Sequence, residues 1–155
     1  MIKMARSFAA LSAVTLSMAV VAPSYATPVN ETTFSGTVDF SQSMRITCNI
    51  SGKIKYVGGD AVLYDIVFSA GNILCGTVVK PNGKEWVIPG GAAHGSTSIN
   101  INFVGASTVL GGNCEGTVAA TIVDNGADHK ITISNQTVAG TPASCTIHNA
   151  NILTS

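Results

Sequence analysis

Residues 44–51 read Met44-Arg45-Ile46-Thr47-Cys48-Asn49-Ile50-Ser51. Apolar and polar side chains alternate without a break, so on an extended chain Met44, Ile46, Cys48 and Ile50 all point to one side. Past Gly52 the parity continues, with Ile54 and Tyr56 on the apolar side and Lys53 and Lys55 on the other. A helix would spread the same apolar residues around its circumference. The stretch reads as a strand with one buried face. Cys48 lies on that face, where a disulfide can reach the core.

The same period runs both ways along the chain. Upstream, Phe34, Gly36, Val38 and Phe40 alternate with Ser35, Thr37 and Asp39. Downstream, Val62, Tyr64, Ile66 and Phe68 form one face and Leu63 and Val67 the other, the pattern of a strand buried on both sides. Further strands are expected over residues 73–79, 85–88, 98–104, 117–124, 130–136 and 145–153. Between them stand turn-formers such as Gly58-Gly59-Asp60, Gly71-Asn72, Gly111-Gly112-Asn113 and Gly140-Thr141-Pro142. Asn82-Gly83 and Asn125-Gly126 suit tight hairpins. No stretch after the first 26 residues holds an apolar 3.6-residue period over three turns. The expected fold is all-β: a single disulfide-stapled β-sandwich or barrel-like domain of about nine short antiparallel strands. Gly-Thr-Val recurs at 36–38, 76–78 and 116–118, a hint of internal duplication.

Composition narrows the function. Of 155 residues, 46% are hydrophobic and only 10% charged, with a formal net charge of +0; soluble domains average roughly 25% charged. Such a chain has no electrostatic footprint for nucleic acid and is too apolar to stay disordered. The N-terminus carries Lys3 and Arg6, then an apolar run through Leu11, Val14, Leu16 and Val20, then Ser24-Tyr25-Ala26. That order is a secretory signal peptide, expected to be cleaved after Ala26. Ser7, Ser12, Thr15 and Ser17 interrupt the run, which argues against a spanning anchor. The expected organisation is a signal peptide over residues 1–26 and an all-β secreted domain over 27–155. The destination is the cell surface or the medium, reached through the periplasm.

Cys48, Cys75, Cys114 and Cys145 all follow the signal, and an even number in an exported chain reads as disulfides. Spacings of 27 and 31 residues suit two local loops, so Cys48–Cys75 and Cys114–Cys145 are the expected pairs. Zinc fails on spacing, since no C-x-x-C or H-x₃₋₅-H pair occurs. His94, His129 and His148 lie apart in sequence, and the 124–128 segment lacks the ligand spacing of a calcium loop. No G-x-S-x-G, H-E-x-x-H or S-x-x-K is present, so no catalytic residue, metal or cofactor is expected. Trp86, the single tryptophan, suits core packing; as the alternative, Trp86 and His94 of the neighbouring glycine-rich loop are candidate ligand contacts. Asn100, Asn102, Thr121, Thr132 and Ser134 imply sheet faces that are polar but uncharged.

Several short elements carry a family likeness. They are Thr33-Phe34-Ser35-Gly36-Thr37, Ile46-Thr47-Cys48, Phe68-Ser69-Ala70-Gly71 running into Ile73-Leu74-Cys75, Gly111-Gly112-Asn113-Cys114, and the ending from Cys145-Thr146-Ile147-His148-Asn149 to Leu153-Thr154-Ser155. Together they resemble the small secreted activators of alkane oxidation, the PraA/PraB-like proteins. The resemblance implies an exported, non-enzymatic accessory that promotes growth on alkanes. Its implied partners are a hydrophobic surface or alkane, cell-surface components, or further copies of itself. One departure is Lys84-Glu85-Trp86, where that family has a Leu-Pro-Trp element. A second class is a fimbrial or biofilm subunit, since residues 34–40 followed by Cys48 also look like the opening of a sandwich completed by a neighbour's strand.

Overall fold

The computed structural model describes residues 32–91, 97–125 and 128–155. The signal-peptide reading of residues 1–26, and His94, lie outside them. Ten strands are found among the described residues: β1 (Thr32–Ser41), β2 (Arg45–Val57), β3 (Asp60–Ser69), β4 (Val79–Pro81), β5 (Trp86–Ile88), β6 (Ser98–Thr108), β7 (Asn113–Asn125), β8 (Asp128–Val138), β9 (Gly140–Thr141) and β10 (Cys145–Thr154). Every ladder between them is antiparallel. The spatial order β6-β5-β3-β2-β1-β10-β8-β7 closes on itself because β6 also pairs with β7. Of the two architectures open from sequence, the chain takes the barrel, with eight strands in the ring and β4 and β9 as short additions.

An eight-stranded ring leaves an interior just wide enough for side chains. Each of its strands supplies that filling: Phe34, Ile50, Leu63, Trp86, Ile101, Val118, Ile133 and Ile152 are all buried. The opposite parity faces out. Asn49, Thr37, Asn151, Thr132, Thr121 and Ser98 stand in register across β2, β1, β10, β8, β7 and β6, a girdle of uncharged polar residues. An apolar inside under a polar outside is the reverse of the lipid-facing barrel pattern. β1 is paired along its length on both sides, to β2 and β10 of its own chain. The segment 34–40 therefore has no vacant edge for a neighbour's strand, contrary to the fimbrial reading.

Three bulges bend the ring, and alternation alone did not foretell them. Asp65, Phe103 and Asn135 have φ of 49°, 63° and 48°, rare for non-glycine residues. In β3, three steps from Tyr64 to Val67 face two from Lys53 to Ser51. In β6, three steps from Ile101 to Val104 face two from Val118 to Gly116. Asn135 sits opposite His148, the extra residue of β10 against β1. One extra residue swaps the two faces of a strand. The face expected as Val62, Tyr64, Ile66 and Phe68 is thus broken at Asp65. Ala61 and Leu63 point inward before the bulge, and Ile66 and Phe68 after it; burial on both sides holds only for residues 61–63.

The connections fall into two sets. At one end lie the β2–β3 turn and residues 89–91; at the other lie 42–44, 70–78, 109–112 and 142–144. Gly58 and Gly59, with φ of 60° and 94°, make the two-residue turn that joins β2 to β3. Asn82-Gly83 does not make a hairpin. It links β4 to β5, which run along the same edge of β6. Nor is 73–79 a strand. Asn72 accepts the Leu74 amide on its side chain at 3.0 Å, and the Leu74 carbonyl accepts the amides of Val78 and Val79 at 3.0 and 2.9 Å. Backbone groups satisfied locally have no need of a ladder. Gly-Thr-Val accordingly falls in β1, in this turn and in β7, which are not equivalent places.

Both bridges form as expected, Cys48–Cys75 and Cys114–Cys145, with Cα separations of 5.6 and 6.0 Å. They sit at the same end of the barrel. Cys48–Cys75 holds the 70–78 turn against β2, and Cys114–Cys145 ties β7 to β10. Thiol titration of the oxidised protein in denaturant should find no free cysteine. Replacing Cys114 and Cys145 together by Ala should lower unfolding free energy in urea by about 3–4 kcal/mol, from the closure entropy of a loop that size.

Candidate functional site: an apolar cleft at the disulfide end

Turns are normally polar. At the disulfide end they are not. Met44 in the β1–β2 turn is 57% exposed, Ile73 in the 70–78 turn 89%, and Val109 and Leu110 in the β6–β7 turn 63% and 89%. Between these turns opens a cleft of about 290 Å³, walled by Phe40, Met44, Ile46, Leu74, Val78 and Leu110, with the sulfurs' residues Cys114 and Cys145 in its floor. Among the described residues, no Asp, Glu, Lys, Arg or His lines it.

The walls are held by hydrogen bonds made behind the apolar surface. Gln42 donates its side-chain amide to the carbonyls of Thr141 at 3.0 Å and Ala143 at 2.6 Å, tying the β1–β2 turn to the β9–β10 connection. Val109 donates its amide to the Val78 carbonyl at 3.0 Å, tying the β6–β7 turn to the 70–78 turn. The Gly112 amide donates to Thr108 Oγ1 at 2.9 Å and closes the β6–β7 turn on itself. Rigid polar struts thus keep aliphatic side chains in water, where unconstrained chains would fold them away.

At the root of the β1–β2 turn, Arg45 forks onto Asp39. Its Nε donates to Oδ1 at 3.0 Å, and Nη2 donates to Oδ2. The hydrogen bond from Arg45 holds the Asp39 carboxyl below the ordinary carboxylate range, against a smaller opposing effect of desolvation. The Arg45 guanidinium is raised in turn by the same bond.

The residues singled out from sequence do not converge here, apart from the cysteines. Trp86 is 3% exposed, packed in the barrel with its Nε1 donating to Asn82 Oδ1 at 3.3 Å. That is the core placement offered for it beside the ligand role. His129 pairs with Asp124 at the far end of the barrel, its Nδ1 2.7 Å from Oδ1, on strands and not in a loop. His148 Nε2 lies 2.8 Å from Ser41 Oγ. Among the described residues, no three His, Cys, Asp or Glu side chains come together as metal ligands. The sequence reading passed over Ile73, Val109 and Leu110. Their signal was present: a Val-Leu pair directly before Gly111-Gly112, and an Ile directly after Gly71-Asn72, put large aliphatics inside turns.

A family model described as alkane oxidation protein activator, PraA/PraB-like, matches residues 1–155. No curated protein and no solved structure matches the chain.

Acid titration checks the pair at the root of the turn. A carboxyl whose folded pKa is depressed contributes stability that is present above about pH 4 and is lost as pH falls through the lowered folded value. Carboxyl NMR should place the Asp39 midpoint below the ordinary aspartate range. In Arg45→Met that midpoint should rise into the ordinary range; an unmoved midpoint would show that the fork does not set it.

Proposed function

This chain belongs to the PraA/PraB-like alkane oxidation protein activators, and from that premise we propose that it is exported and acts without catalysis. On this reading it lays its disulfide end against hydrocarbon at the cell surface or the oil–water interface, and so promotes growth on alkanes. The observation that carries the reading is the exposure of Met44, Ile73, Val109 and Leu110 together on the turns at one end of the barrel; Tyr56, Val57, Val67, Phe103, Val123 and Leu153 are exposed singly on the strands. Covering a large aliphatic side chain contributes roughly 1.5–3 kcal/mol when burial is full. Clustered exposed apolar residues with a polar surround are the mark of an interaction surface. Low charge helps as well, because few ions need to be stripped of water when that end enters oil.

Export is supported by the order of residues at the N-terminus and by the bridges. Basic residues precede an apolar run and a small-residue site, and the four cysteines are all paired. A closed barrel suits the task. With its long strands all paired, it has little unmet main chain to tangle with copies of itself while its apolar end is exposed.

Pendant-drop tensiometry of the mature protein at a hexadecane–water interface tests the proposal. The native chain should lower the interfacial tension. Ile73→Asp with Leu110→Asp should weaken adsorption about tenfold or more, at unchanged melting temperature, since each change removes over 1.4 kcal/mol of apolar transfer. Tyr56→Asp, an exposed position at the opposite end, should leave adsorption intact. Equal losses in both variants, or normal growth on hexadecane after deletion of the gene, would defeat the proposal.

A further inference from the structure

Behind the cleft lies a second, smaller space. It holds about 30 Å³ inside the barrel and is lined by Val38, Phe68, Trp86 and Ile147 among others. The two spaces share Phe40, Ala106, Cys114 and Cys145 as a common wall. The cleft is therefore a blind recess, open to water between Met44 and Leu110 and stopped by packed core.

Its chemistry selects its occupant. Gln42, Ser43, Thr108 and Asn113 are the polar residues of the lining, all uncharged; Gln42 is engaged by the Thr141 and Ala143 carbonyls and Thr108 by the Gly112 amide. Asp39 and Arg45, which flank the lining residues Phe40, Met44 and Ile46, are forked onto each other. A carboxylate, phosphate or ammonium entering here would lose water and gain no counter-charge. A hydrocarbon would lose nothing. Size agrees: an apolar cavity of about 150 Å³ is enough for a six-carbon ring, which scales to about twelve carbons for this cleft, room for a ten-carbon chain. A volume of about 290 Å³ is at the bottom of the roughly 300–1,000 Å³ range of small-molecule sites, so a slim ligand fits best.

We propose that the cleft is a one-to-one binding site for a single uncharged alkyl chain, entering between Met44 and Leu110 with its leading methyl against the Phe40–Ala106 wall. The inference deepens the surface reading above and rests on it for the location of the site. It adds that the protein carries individual alkane molecules as well as coating oil, and that it discriminates alkanes from their fatty-acid oxidation products.

Methyl NMR of the mature protein tests this, with decane and, separately, sodium decanoate below its micelle concentration. Decane should shift the methyls of Met44, Val78 and Leu110 saturably, at one molecule per chain. Decanoate should bind about tenfold more weakly or worse, because its carboxylate finds no partner. Ala106→Phe fills the recess from its wall and should abolish decane binding. Met44→Lys, at an exposed position, should shift preference toward decanoate; this variant decides the matter should Ala106→Phe fail to fold. Shifts that never saturate, equal affinities for the two ligands, undiminished binding in a folded Ala106→Phe, or an unchanged preference in Met44→Lys would each overturn the inference. Saturable decane binding by a protein that fails to adsorb would sink the surface reading and spare this one; adsorption without saturable binding would do the opposite.

Discussion

Closure of the ring by the β6–β7 pairing is the constraint on which the rest of the structure depends. Without it the sheet would present two long edges of unmet amides and carbonyls. With it, each of the eight strands has a neighbour on both sides and the faces sort into inside and outside. Eight strands set the bore, and the bore is full: Leu63, Ile101 and Val118 are wholly buried at its centre. A barrel filled in this way has no central chamber for a ligand. Its sides carry Thr, Asn and Ser in registered rows. What remains for recognition is an end.

The two ends differ because of what the turns are made of. One is built from Gly58-Gly59 and from residues 89–91. The other is built from aliphatic turns pinned by two disulfides and by the Gln42 and Val109 hydrogen bonds. Holding Ile73 and Leu110 in water is unfavourable, and the bridges offset it by keeping those turns from rearranging. The staples therefore serve the exposed end as well as the fold. Loss of either bridge should be felt first in the shape of the cleft.

How much of this was legible in the residues follows from how local each determinant is. Strand existence was legible, since Met44–Ser51 and its counterparts carry a strict two-residue period. Disulfide pairing was legible too, because close spacings favour local loops and Cys48 shares the parity of a buried face. Met44 and Tyr56 continue that parity but lie at the two ends of β2, beyond the packed interior, and are exposed. Bulges were not legible: Asp65 in β3, Phe103 in β6 and His148 in β10 interrupt their strands by a single residue that no turn chemistry announces. Barrel against sandwich was not legible either, since it is decided by the pairing of β1 with β10 and of β6 with β7, contacts that alternation within one strand does not encode. The cleft was the hardest part. Leu74 and Val78 looked like strand residues, and only the Asn72 turn and the Cys48–Cys75 bridge turn that stretch into a wall.

The central claim is that the disulfide end is the working face. Hydrogen–deuterium exchange of the mature protein adsorbed on hexadecane droplets, compared with the protein free in buffer, tests it most directly. Slowed exchange confined to amides of residues 42–44, 72–79 and 109–112, with residues 57–60 unchanged, is the expected result. Protection spread evenly over the barrel, or concentrated at the 57–60 end, would contradict it.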